Sequence, residues 1–119
     1  MNDELAIKMQ ENLNLVWNER DPVLRGKAIE RIYSRNASLN HVGDQVTGYE
    51  AINESVSATQ KMLPPNFVFS QLKPMVINNN MGRLIWGAGL AGEPVVAKGM
   101  DIAYFEEDKI KSLYVFLDS

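Results

Sequence analysis

Two residues of this sequence have the chemistry to move protons near neutral pH. Asp101 stands inside an apolar run, Gly99-Met100-Asp101-Ile102-Ala103-Tyr104-Phe105, with no cation beside it in sequence. A carboxyl group held on an apolar face has its charged form disfavoured and its pKa raised. Such an acid can donate a hydrogen bond to a carbonyl or enolate oxygen at neutral pH. The structural alternative is that Asp101 accepts hydrogen bonds from a helix end or from an arginine across the core. His41 is the one histidine of the chain, and its side-chain type titrates near neutrality. Facing Asp101 across a pocket, it would complete an acid–base pair; otherwise it is a partly exposed hairpin residue. Trp17, Tyr33, Phe69, Trp86, Phe105 and Phe116 are the candidates for lining a pocket around that pair, or for plain core. A pocket so lined suits a small hydrophobic ligand.

Other chemistries are excluded or unsupported. The 119 residues include no cysteine, so thiolate metal sites, disulfides and cysteine nucleophiles are ruled out. A single histidine rules out a multi-histidine metal site within one chain, and neither a metal nor a cofactor is expected. Gly87-Ala-Gly89-Leu-Ala-Gly92 spells a dinucleotide-type glycine pattern. That fingerprint needs a helix after it to hold the pyrophosphate, whereas Glu93-Pro94-Val95-Val96 leads into another strand. The small residues are expected instead to let the sheet bend or to admit a close neighbour. The net charge is −3 with no basic stripe, so nucleic acid is not an expected partner. No apolar run approaches the ~20 residues that span a bilayer. The acidic start, Met1-Asn2-Asp3-Glu4, lacks a signal core, so no membrane association and a cytoplasmic location are expected.

The elements that must position these residues follow from periodicity. Leu5, Met9, Leu13, Val16 and Trp17 form one apolar stripe and predict a helix over 3–18. Asp21-Pro22 starts a second helix, with Leu24, Ala28, Ile29, Ile32 and Tyr33 inward and Arg25, Lys27, Glu30 and Arg31 in water. A short hairpin over 38–46 turns at Gly43-Asp44. Thr47 and Glu50 have the spacing of a capping box for a third helix, which Pro64-Pro65 stops. A strand over 66–77 contains Pro74, which implies an edge, a bulge or a break. The segment 83–119 then reads as an antiparallel meander with turns at 91–94 and 106–109. Helices followed by strands indicate a single α+β domain, 1–119, with helices on one face of an antiparallel sheet. Asp101, Ala103 and Phe105 share one face of their strand, and Met100, Ile102 and Tyr104 share the other. Both faces are apolar and the helices cover one, so the other predicts a homodimer through the sheet.

The order of elements, with Trp86, Gly89, Gly92, Gly99-Met100-Asp101-Ile102 and Asp108-Lys109-Ile110, resembles the SnoaL-like domains. These belong to the nuclear transport factor 2-like superfamily, together with ketosteroid isomerase and limonene epoxide hydrolase. The resemblance implies a curved, cystatin-like cone: a sheet wrapped around three N-terminal helices, with a central pocket and a dimer through the convex face. In ketosteroid isomerase a protonated carboxylic acid donates to the substrate; its position matches Asp101. The proton-shuttling base of that enzyme falls on His41, and its tyrosine falls on Leu13. Limonene epoxide hydrolase has an arginine two residues before the matching aspartate, where this chain has Gly99. In the polyketide cyclases an aspartate works on a carbon acid, again at Asp101. The resemblance therefore implies an isomerase, cyclase or lyase acting on a small apolar carbonyl compound. The alternative is a non-catalytic ligand-binding or protein-interaction module of the same fold.

Overall fold

The computed structural model describes residues 2–118. Helix α1, Asn2–Glu11, runs directly into a π-helical turn, Asn12–Trp17. The Asn18 N–H donates to the Leu13 carbonyl at 3.0 Å, the longer-reach bond of a π turn. The wider winding turns Asn12, Leu13, Val16 and Trp17 all inward.

Helix α2 spans Pro22–Ile32, with the Asp21 carboxylate accepting the Val23 N–H at 2.9 Å. Its expected apolar face needs two corrections. Leu24 is 52% exposed, while Arg25, expected in water, is 1% exposed. The Arg25 guanidinium has exchanged water for fixed acceptors: the Glu19 carbonyl twice, Asn53 Oδ1, Ser57 Oγ and Gln60 Oε1. Burial lowers its pKa, with Glu19 opposing the shift. Gln60 Nε2 in turn donates to the Trp17 and Glu19 carbonyls. One buried cation thus ties α2, the third helix and the end of the π turn together.

Tyr33 opens strand β1, Tyr33–His41, rather than closing the α2 face; its extended backbone already departs from the helix. Strand β2, Asp44–Thr47, pairs back on β1 across a turn whose Gly43 has a φ of 87°. Helix α3 covers Tyr49–Lys61. The expected capping box is absent, because Thr47 stays in the sheet opposite Ser38 and Gly48 becomes the N-cap, with a φ of 95°. Ile52 and Val56 point into the core, and the helix ends ahead of Pro64-Pro65.

The remaining strands are β3 (Phe67–Gln71), β4 (Val76–Asn78), β5 (Met81–Leu90), β6 (Ala97–Glu106) and β7 (Lys109–Asp118). The expected long strand over 66–77 is two, with the break at Lys73-Pro74, where the proline has no N–H to give. Both pieces pair with β5. The sheet order is β2-β1-β7-β6-β5-β3, with β4 beside β5. All pairs are antiparallel except β1–β7, which is parallel. The sheet is curved and open, an α+β arrangement with the helices on its concave side. The core between them includes Ile29, Ile32, Leu39, Leu84 and Leu113.

Two loop residues finish the edge at β3. Asn18 donates from Nδ2 to the Phe69 carbonyl and accepts the Phe69 N–H, both at 2.8 Å. Arg20 reaches the Pro64 and Phe67 carbonyls. The glycine pattern in β5 receives the chain's own backbone. A Cβ at Gly89 would lie 2.8 Å from the Pro94 carbonyl oxygen, and the Val96 N–H donates to the Ala88 carbonyl at 2.9 Å. No helix among the described residues is long and apolar enough to cross a membrane.

Candidate active site

Strand β6 is flanked by β5 and β7, so Asp101 sits opposite Leu84 on one side and Val115 on the other. It is 4% exposed. Among the described residues its hydrogen-bond donor is the Trp86 indole, Nε1 to Oδ1 at 2.9 Å. Trp86 can reach it because its cross-strand partner is Gly99. The indole lies directly over that glycine; any Cβ at position 99 would fall inside the ring. Gly99 is therefore the residue that lets a tryptophan lean diagonally onto Asp101. Burial pushes the Asp101 carboxyl up to about 7, with the Trp86 hydrogen bond opposing the shift. Among the described residues neither an arginine nor a helix end partners Asp101.

A cavity of about 530 Å³ opens in front of this carboxyl. Asp101 and His41 both line it. Of the six aromatics, Trp17, Phe69 and Trp86 line it as well. They form a chain of edge-to-face contacts. His41 meets Trp17 at 6.1 Å, Trp17 meets Phe69 at 6.1 Å, and Phe69 meets Trp86 at 5.4 Å. The two titratable groups are thus joined around the cavity wall by consecutive aromatic rings. The Trp17 indole nitrogen and His41 Nε2 are buried and have no hydrogen-bond partner among the described residues.

The other three aromatics do not line this cavity. Tyr33 is fully buried behind the wall, its hydroxyl donating to Asn12 Oδ1 at 2.7 Å. Burial, and then the charge of Asp101, push its phenol well above its usual range; Trp17 and Asn12 oppose the shift. The Trp17 N–H therefore lies near that hydroxyl but outside hydrogen-bond geometry. Phe105 shares the face of Asp101 but is four residues further along β6, buried in the core. Phe116 points out of the opposite face and is 46% exposed. Sequence reasoning missed Val42, Thr59, Phe67, Ala88, Ala97 and Val115 as lining residues; Leu63 and Leu117 also contribute. Leu113, Val115 and Leu117 alternate on the face of Asp101, which was a usable signal for Val115 and Leu117. Val42 comes from a turn tip, where no period operates; Thr59 follows Val56 by three residues on the covered face of α3, and its polar type hides it from an apolar pattern. Val42 and Leu117 stand at the mouth, 88% and 72% exposed. Among the described residues no group of three or more His, Cys, Asp or Glu side chains could hold a metal ion.

No family model and no curated protein matches this sequence. Solved structures do. A candidate isomerase of the SnoaL-like family from Agrobacterium tumefaciens superposes with a TM-score of 0.89 at 22% identity, over 98% of this chain and 99% of that one. The chain has the SnoaL-like fold. A candidate SnoaL-like polyketide cyclase from Jannaschia gives a TM-score of 0.77 at 8% identity, covering 98% of this chain and 86% of that one. A de novo designed protein with a curved sheet gives 0.75 at 14% identity, over 99% and 88%. A designed scaffold adopts the SnoaL-like form too, so the fold supplies a curved sheet and a cavity and does not by itself supply an activity.

Proposed function

We propose that the chain is a small-molecule enzyme, an isomerase, cyclase or lyase, that uses acid–base chemistry on a small apolar carbonyl compound. The observation that carries this is the setting of Asp101: a buried carboxyl, held by one indole N–H, facing an apolar cavity, its pKa raised by burial to about 7. In its protonated form it donates to a carbonyl oxygen. His41, on the same cavity with an unpartnered Nε2, takes the proton from the carbon next to the carbonyl. The C–H electron pair moves into an enolate, whose oxygen Asp101 stabilises. Return of the proton to a different carbon completes an isomerisation; attack of the enolate carbon on a second carbonyl completes a cyclisation.

The test is conversion of unconjugated cyclic enones to their conjugated isomers, followed by ultraviolet absorbance, with wild type, Asp101→Asn and His41→Gln. Each substitution is expected to lower turnover by about 10²–10⁴-fold while thermal shift still reports ligand binding. Equal turnover in all three proteins overturns the assignment. A non-catalytic ligand-binding role is favoured by Leu13, which is buried at the position where ketosteroid isomerase has its tyrosine and cannot donate a hydrogen bond. Binding of the cyclic enones with no conversion of any of them would select that role.

For the outer face of the sheet we propose a homodimer contact. Met81, Tyr104, Tyr114 and Phe116 lie on adjacent strands there, each between 38% and 46% exposed, with Met100 and Ile102 between them. A contiguous apolar patch of this kind is the mark of an interaction surface. Sedimentation showing a monomer at micromolar concentration overturns this.

A further inference from the structure

The walls of the cavity have a second chemical character. Trp17, Phe69 and Trp86 line it with adjacent ring planes close to perpendicular, 73° between Trp17 and Phe69 and 84° between Phe69 and Trp86. Phe67 adds a fourth aromatic side chain. Rings set at right angles form the sides of a box, and the faces of aromatic rings attract cations, most strongly where water is excluded. At one end of this box stands a carboxyl group with no arginine or lysine paired to it among the described residues.

We propose that the cavity is also a site for a small apolar ammonium ion, such as a quaternary or tertiary alkylamine, with the aromatic rings around its alkyl groups and the Asp101 carboxylate as its counter-ion. A buried carboxylate held by one neutral indole N–H and no cation is costly; a ligand that brings the positive charge and an apolar coat lowers that cost. The ammonium ligand and the carbonyl ligand of the proposed reaction would compete for one cavity but select opposite protonation states of one residue. The ammonium requires the ionised carboxylate and the carbonyl requires the acid. The ammonium site stands on the geometry of the cavity and remains testable whether or not turnover is found.

The groups facing Asp101 that bear on its ionisation are few. Strand β5 offers Leu84 and the neutral Trp86, and β7 offers Val115. Strand β1 brings the Tyr33 phenol near, and the π turn brings Trp17 and Asn12 behind it. His41 is the other titratable group on the cavity wall, and in its cationic form it would oppose an ammonium ion.

The experiment is titration of the full chain with choline and with its uncharged carbon isostere, dimethylbutanol, by NMR or calorimetry across the pH range. Wild type should prefer choline by on the order of tenfold or more above about pH 8. That preference should fall, by up to about tenfold per pH unit until the two probes bind equally, as the solution is taken below 7, where Asp101 takes up its proton. Asp101→Asn should bind the alcohol as before and lose the preference. Phe69→Leu should reduce it while leaving the carboxyl in place, and His41→Gln should retain it. Equal binding of the two probes to wild type, a preference that survives in Asp101→Asn, or no measurable binding of either probe overturns the proposal. None of these outcomes depends on enone turnover.

Discussion

Strand β6 has two faces with different chemistry. Its inward residues, Asp101, Ala103 and Phe105, are 4%, 0% and 2% exposed. Its outward residues, Met100, Ile102 and Tyr104, keep contact with water, and Tyr104 is 38% exposed. The difference comes from the helices, which pack on one side of the sheet and leave the other open. On the covered side water is scarce, so a single carboxyl changes its ionisation. On the open side the aromatic groups retain solvent.

Four measurements would break or sharpen this contrast. Truncating a covered neighbour, Leu84→Ala, should cost about 2–5 kcal/mol in denaturant unfolding, because Leu84 is 1% exposed and leaves a cavity. A cost as small as that of a surface substitution would mean that the covered face is loosely packed.

The second concerns pH. Folding raises the Asp101 pKa from its ordinary 3.8 to about 7, so the folded chain holds this proton more tightly than the unfolded chain. Its contribution to stability is complete below 3.8 and is lost as the pH rises through 7. Asp101→Asn removes the group that must ionise. The variant should be more stable than wild type at about pH 8, by on the order of a few kcal/mol, and nearly equal to it at about pH 4. Melting temperatures at the two pH values check this; a variant less stable at the higher pH contradicts it.

The third is Gly99→Ala. The new methyl group must displace the rigid Trp86 ring, at a cost of about 1–3 kcal/mol. Loss of the indole hydrogen bond should move the Asp101 carboxyl further up, which NMR titration of that carboxyl would follow. An unchanged titration would mean that the indole does not hold Asp101.

The fourth concerns the open face. Phe116→Lys should change monomer stability by less than about 0.5 kcal/mol but shift sedimentation from dimer to monomer. A large loss of stability in a monomeric protein would make Phe116 part of the core after all.

Much of this arrangement is legible in the sequence, for identifiable reasons. Alternation along β6 assigns Asp101 to the covered face, since side chains in a strand point to opposite sides by turns. Alternation says nothing about depth along the strand, and so Phe105 reads as equivalent to Asp101 although it lies in the core and not on the cavity. Arg25 is misplaced by composition, because a charged residue reads as solvent-facing until its acceptors are known. Those acceptors come from Glu19, Asn53, Ser57 and Gln60, which only folding brings together. The π turn is hidden because one additional residue per turn leaves no composition signal, and its buried set, Asn12, Leu13, Val16 and Trp17, also fits one face of a regular helix. Gly99 reads as an absent arginine until Trp86 is seen lying across it.

The clasp of Asn18 on Phe69 has a consequence for the chain's behaviour in a crowded solution. Strand β3 ends the sheet, and an open strand edge is a template on which another chain can add a strand and begin to aggregate. Asn18 occupies both backbone groups of Phe69 on that side, and Arg20 takes the carbonyl of Phe67. The two side chains blunt the edge along its apolar start, Phe67-Val68-Phe69, where intermolecular zippering would otherwise be most favourable.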